Sequence, residues 1–293
     1  MARRLVIDTD IGTDVDDLWT LAMVPNLVDV NLEAVTTVYG NTDVRARLAS
    51  VALQGMGLDV PVFRGCEQPM SGKSVLWAGH EGAGVPGISD ATYSSRDAVD
   101  VLMELAASDP GTLEILAIGP LTNIAEAIRR DSDFPHTLRR LVVMGGEFKT
   151  GWPEHNFASD VVATDIVLRS GAPITVVPLD QTLRVFLHEV DIDLVAAGHA
   201  IGPMIAEQSR TFWQWLSTLR EGMPNDRSPA HDPLTLLVAI EPEHFTLTHM
   251  MVEVDGEGRV AGTPDESSQV TVVTDVDPTA ARRAFGRFLT GAD

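Results

Sequence analysis

The sequence predicts an α/β fold: one open, mostly parallel sheet with helices on both faces. Three features predict it. Short apolar runs alternate with helical stretches through roughly the first 180 residues, the pattern of a parallel sheet covered on both sides. Those runs tend to stop at polar clusters or glycine turns, where open α/β sheets hold their ligands. No internal repeat or linker-like stretch divides the 293 residues, so a single domain over 1–293 is expected.

The elements follow in order. Leu5-Val6-Ile7 is an apolar run halted by acidic residues and reads as a buried strand. Asp17 to Val24 reads as a helix that stops near Pro25. Asn31 to Val38 gives a second strand, Asp43 to Gly55 a helix, and Pro61 to Phe63 a short strand. Residues 65–92 are rich in Gly, Ser and Pro without a period and read as a long loop, a feature usually tied to function or disorder. Arg96 to Ala107 (helix), Leu113 to Ile118 (strand), Leu121 to Arg130 (helix) and Leu141 to Met144 (strand) continue the alternation. Val161 to Arg169 and Ile174 to Leu179 add a helix and a strand. Residues 189–222 are mostly helical, and another helix starts near Asp232. The tail carries β-rich runs at 245–254 and 269–274, then a helix at 279–290.

Charge narrows the partners. Lys+Arg number 21 against 42 Asp+Glu, a net charge of −21. Such a surface repels phosphate backbones and anionic membranes, so neither nucleic acid nor a membrane is expected as a partner. The single cysteine, Cys66, excludes an internal disulfide and a multi-cysteine zinc site, and fits a reducing compartment. The apolar run after Met1 is too short for a signal peptide, and no 18-residue apolar stretch exists. A cytoplasmic protein is expected.

The chemistry lies at the strand ends. After the first strand come Asp8, Asp10, Asp14, Asp16 and Asp17, five aspartates within ten residues. Carboxylates packed this closely repel one another unless a cation sits among them, and oxygen-only ligands point to Ca²⁺ or Mg²⁺. A solvated turn with a helix N-cap would explain one or two of them, not five. An EF-hand fits poorly, because Thr13 and Trp19 stand where its glycine and glutamate belong. Neither a Walker A loop nor a Gly-x-Gly-x-x-Gly element is present. Further polar groups close later strands: Tyr39-Gly40-Asn41, Gly119-Pro120-Leu121-Thr122-Asn123, Gly145-Gly146 and the following Glu154-His155-Asn156; His231-Asp232-Pro233 open a late helix.

Taken in this order, with Thr36-Thr37-Val38 before Tyr39, these motifs resemble the nucleoside hydrolases of the inosine-uridine-preferring type, over about residues 5–240. The resemblance implies a Rossmann-like nucleoside hydrolase fold, one Ca²⁺, and hydrolysis of ribonucleosides to ribose and free base. Carried over by position, Asp10, Asp17, Asp232 and the Thr122 carbonyl would hold the ion. Asp10 would also deprotonate a calcium-bound water. Asp16, Asn41, Glu154 and Asn156 would hold the ribose, and His231 would assist the leaving base. His80 falls where the family has a mobile loop, and Trp152 is a candidate cover for the sugar. The resemblance also implies a homodimer or homotetramer with a small-molecule nucleoside as substrate.

Here Thr13-Asp14-Val15 separate Gly12 from the paired aspartates, two residues more than the usual family spacing. Anchoring on the following helix assigns Asp16 and Asp17; anchoring on Gly12 would bring in Asp14. Phe212 and Trp215 have core spacing, which leaves Trp213 to stack on a base. Asn225, Asp226 and Arg227 are candidates for the base edge. Two other readings stand beside this one. A haloacid-dehalogenase-like Mg²⁺ phosphatase would use Asp8 as nucleophile and Asp10 as acid/base. A non-catalytic nucleoside or sugar binder would use the same scaffold without turnover.

Overall fold

The computed structural model describes residues 2–219 and 226–291. Its strands are β1 (Arg3–Thr9), β2 (Val30–Thr37), β3 (Val62–Arg64), β4 (Ser94–Asp97), β5 (Leu113–Ala117), β6 (Leu138–Met144), β7 (Ile174–Val177), β8 (Phe186–His188), β9 (Arg227–Pro229), β10 (Phe245–Val254), β11 (Val260–Pro264) and β12 (Val270–Val276). Its α-helices are α1 (Asp16–Met23), α2 (Thr42–Gly55), α3 (Ala98–Ser108), α4 (Thr122–Arg130), α5 (Phe134–Thr137), α6 (His155–Ser159), α7 (Val161–Leu168), α8 (Leu179–Thr182), α9 (Glu189–Gly198), α10 (Gly202–Leu219), α11 (His231–Ile240) and α12 (Pro278–Thr290). Ten strands form one open sheet in the order β11-β10-β12-β7-β6-β5-β1-β2-β3-β4. Only β10 runs antiparallel to its neighbours, β11 and β12. The expected mostly parallel α/β sheet is therefore what the chain forms.

The two-residue period of the strands divides the core in two. Leu5 and Ile7 of β1, Leu116 of β5 and Val142 of β6 join one apolar cluster with α1, α2, α10, α11 and α12. Val6, Ile115 and Val143 face the other way, into a cluster with α3, α4 and α7. Both faces are covered, which is why these strands read as continuous apolar runs.

The elements that sequence reading missed lie at the margins. β4 caps one edge of the sheet and β11 the other; most of their residues are exposed, so no apolar period marks them. β8 and β9 pair as a separate two-stranded sheet. Among the described residues no helix is long and apolar enough to cross a membrane.

A buried ion network fixes one helix that matters for the site. Glu114, 1% exposed, accepts hydrogen bonds from Arg3 and Arg140, each at 2.6 Å. Burial opposes its ionisation, but those two arginines hold its carboxyl below the usual glutamate range. Both arginines also donate to the Ala239 carbonyl, at 2.7 and 2.9 Å, and so anchor the C-terminal end of α11. The other end of α11 carries His231 and Asp232.

Candidate active site

β1 sits between β2 and β5, where the direction of strand succession reverses. The crevice outside the carboxyl end of β1 is thus the expected ligand position in an open α/β sheet. A cleft of about 970 Å³ opens there, lined by Asp10, Asp14, Asp16, Asp17, Tyr39, Glu154, Asn156, His231 and Asp232 among others. Gly119, just after β5, packs directly against Asp10, one of the lining residues. A Cβ on Gly119 would lie 2.9 Å from the Asp10 amide nitrogen, from Asp10 Oδ1 and from Val38 Cγ1. Only glycine lets the β5 turn pass this close to Asp10.

The acidic cluster is assembled by two helix N-termini. Asp16 and Asp17 open α1, and Asp232 lies in the first turn of α11. Carboxylates are favoured at such ends by the exposed amides and the helix dipole. The Asp232 amide donates to Asp16 Oδ2 at 3.1 Å, and Thr9 donates to Asp17 Oδ1. All three side chains are buried, and each offers an oxygen within 4.8 Å of the others. Burial pushes all three well above the ordinary aspartate range, and the leading neighbouring charge adds to it: Asp14 on Asp16, Asp10 on Asp17 and Asp16 on Asp232. Asp14 is raised to about 7, again mainly by burial. Three buried carboxylates whose surroundings oppose their ionisation are relieved by a positive charge placed among them. An all-oxygen donor set of this kind fits a hard divalent cation.

Glu154 and Asn156 shape the opposite wall. Glu154 caps α6 and spends its carboxylate on the amides of Gly146 (3.0 Å), Asn156 (2.7 Å) and Phe157 (3.1 Å). Asn156 donates to the carbonyls of Ile118 and Met144, both at 3.2 Å, and so ties the ends of β5 and β6 together. His231 Nδ1 is 2.6 Å from Thr182 Oγ1, and burial pushes the imidazole down to about 4, leaving it neutral at pH 7. Trp152, 58% exposed, stands at the mouth.

Three other expected residues are held by contacts of their own. Asn41 is exposed, caps α2 by accepting from the Val44 amide at 3.2 Å, and does not line the cleft. Thr122 is also outside the lining; its hydroxyl donates to Asp160 at 2.8 Å. His80 packs behind the aspartate loop, with Nε2 2.9 Å from the Thr13 carbonyl and its ring against Trp215. Trp213 is a correction. It is 2% exposed and part of the core; Phe212, in the same core cluster, and Trp215, packed against it as their spacing predicts, also reach the cleft. α10 is apolar toward both core and cleft, so spacing alone does not single out the aromatic residue that reaches the cleft. Asn225 lies outside the described residues, and Arg227 stacks on Phe186 at 5.2 Å.

Asp8 does not fit the nucleophile of the phosphatase reading. It is fully buried and absent from the cleft lining. Its Oδ1 accepts from Thr36 at 2.5 Å and from Asn123 at 2.7 Å. Its burial raises it to about 7, and it binds β1 to β2 and α4.

Three residues to which sequence reading gave no role shape the site. Tyr39 lines the cleft with a left-handed φ of 67°. Glu147 gathers the amides of Lys149, Thr150 and Trp152 and so shapes the loop that carries Trp152. Arg45 lies fully buried beneath the aspartate loop. Its signal was available: Arg45, Leu48, Ala49 and Ala52 occupy one helical face, and only the first is charged.

Comparison with known proteins agrees with this geometry. The sequence profile of the inosine-uridine preferring nucleoside hydrolases matches residues 5–283. The rice protein named probable uridine nucleosidase 2 (Oryza sativa subsp. japonica) is 31% identical over 276 residues, covering 89% of this chain and 80% of its own. The solved structure of the plant nucleoside hydrolase PpNRh1 superposes with a TM-score of 0.88 at 25% identity, over 100% of both chains. That of a purine-preferring ribonucleoside hydrolase from Gardnerella vaginalis gives 0.86 at 25% identity, over 99% of this chain and 98% of its own. Shared fold, a profile match from β1 into α12 and an aspartate-lined crevice at the strand switch point together place this chain in the inosine-uridine preferring nucleoside hydrolase family.

Proposed function

We propose that the chain hydrolyses the N-glycosidic bond of ribonucleosides, releasing ribose and free base, with Ca²⁺ as its metal. The observation that carries this is the buried Asp16–Asp17–Asp232 cluster facing a cleft large enough for a nucleoside. Asp16, Asp17 and Asp232 would hold the ion, beside Asp10 and the Thr122 carbonyl. Bound there, a divalent cation supplies a Lewis acid that orients hydroxyl groups and makes them more acidic.

The remaining roles belong to side chains. Asp10 accepts the proton of the attacking water. The sugar passes through an oxocarbenium-like state, and the carboxylates of Asp10 and Asp16 face the charge that develops. Asp16 also takes ribose hydroxyls, and Glu154 and Asn156 fix the wall against which the ring sits. Trp152 covers the sugar. The aromatic and aliphatic edge of Phe212, Trp215 and Leu216 offers an apolar surface to the base. Thr182 engages His231 Nδ1, so Nε2 is the ring atom left for the departing base. We place the enzyme in the cytoplasm as a homodimer or homotetramer, the latter checked by light scattering.

The direct test is product analysis with uridine, inosine, adenosine and cytidine. Equimolar ribose and free base is the expected result. Tight binding of these compounds without products would favour the non-catalytic binder. A second prediction probes the close approach of Gly119 to Asp10. Gly119→Ala should cost about 1–3 kcal/mol of stability through overpacking. It should also lower turnover roughly 100-fold, because about 1 Å of displacement at Asp10 suffices for that. Thermal unfolding and steady-state kinetics check both, and unchanged turnover would rule out the tight Gly119–Asp10 approach as a catalytic requirement.

A further inference from the structure

We infer that Arg45 is the positioning residue of this site, a buried guanidinium that holds the aspartate loop in metal-binding form. The inference rests on the metal reading above. Arg45 lies on α2, is 0% exposed, and among the described residues forms no ion pair with a carboxylate. Arginine is rarely buried without such a partner. Its donors go instead to backbone oxygens at two strand ends. Nε donates to the Tyr39 carbonyl at 2.6 Å, and Nη1 donates to the carbonyls of Asp10 and Ile11, the latter at 2.8 Å. Nη2 reaches Thr13 Oγ1 at 3.2 Å. The Trp77 ring closes the remaining face, 5.2 Å from the guanidinium carbon. Gly40 makes room for that ring, since a Cβ there would come within 2.9 Å of Trp77.

One planar fork thus joins the loop after β1, the loop after β2 and the long 65–92 loop. A guanidinium presents several donors in fixed directions, which an ammonium does not. The carbonyls of Asp10 and Ile11 are held from beneath, and the loop then delivers Asp16 and Asp17 to the cluster. The same cation brings positive charge to the loop that carries the repelling aspartates. Arg45 touches no reacting atom; it acts through the backbone of Asp10 and the turn that follows.

The test measures Ca²⁺ binding by calorimetry and thermal unfolding of the metal-free protein for wild type, Arg45→Met, Arg45→Lys and Trp77→Leu. Arg45→Met should weaken Ca²⁺ binding at least tenfold. Arg45→Lys should stay within threefold of Arg45→Met, because charge without the fork does not hold three loops. Trp77 is 37% exposed, so Trp77→Leu should fold and still weaken binding about threefold or more. If Arg45→Met does not fold, the lysine and Trp77 variants carry the test. Wild-type affinity in a folded Arg45→Met, full recovery by lysine, or unchanged affinity in Trp77→Leu would each overturn the inference. Absence of Ca²⁺ binding by the wild type would instead overturn the metal reading on which it rests.

Discussion

Replacing Asp10 by alanine is expected to lower ribose release by at least 10²–10⁴-fold while leaving the fold intact. The corresponding rise in the barrier is about 3–5 kcal/mol. Asp10 lines the cleft, beside Gly119 and next to the acidic cluster, and is the proposed proton acceptor. The loss should fall on kcat more than on KM, since proton transfer belongs to the transition state. Asp10 is also the proposed neighbour of the ion, so metal binding must be measured on the same variant. A folded, metal-loaded Asp10→Ala protein with near-normal turnover would remove Asp10 from the chemistry.

The second large effect has opposite signs with and without metal. Asp17→Asn keeps the shape of the side chain and an oxygen for the Thr9 hydroxyl. It removes one of the mutually repelling charges. Two charges ~4 Å apart interact by about 4 kcal/mol at an effective dielectric constant near 20. The metal-free variant should therefore melt several degrees higher than metal-free wild type at pH 8. It should also lose the stabilisation that Ca²⁺ gives the wild type, about 2.7 kcal/mol at 100-fold excess over Kd. The pH dependence follows from the raised folded-state values of Asp16, Asp17 and Asp232. A raised carboxyl contributes stability that is present below the unfolded value of 3.8 and is lost as pH climbs through the folded value. Metal-free wild type should thus lose stability as pH climbs above 4, and Asp17→Asn less steeply so. Parallel pH profiles, or an equal Ca²⁺ shift in both proteins, would contradict the cluster as the metal seat.

The central strands were legible because burial on both faces leaves an unbroken apolar run, as at Val6-Ile7 and Leu141-Val142-Val143. Edge strands β4 and β11 were not, because exposed polar residues carry no period. The site was legible in parts. The aspartates after β1 announced themselves by their density, but their meeting with Asp232 rests on folding α11 against α1, which motif order alone suggested. Asn41 and His80 have local contacts that motif order does not foretell. Each lies beside a site loop, but one caps a helix and the other packs against the Thr13 carbonyl. Trp213 is enclosed in the core while Trp215 spans core and cleft, because α10 presents apolar residues to both. Arg45 was overlooked because an isolated charge in a helix is ordinarily read as solvent-facing.

The most direct test of the account is a Ca²⁺ titration into chelated protein, with ribose release from uridine or inosine followed at each step. The account predicts negligible release without metal and activity that rises to a plateau at one ion per chain. Full hydrolysis by rigorously metal-free protein would contradict it.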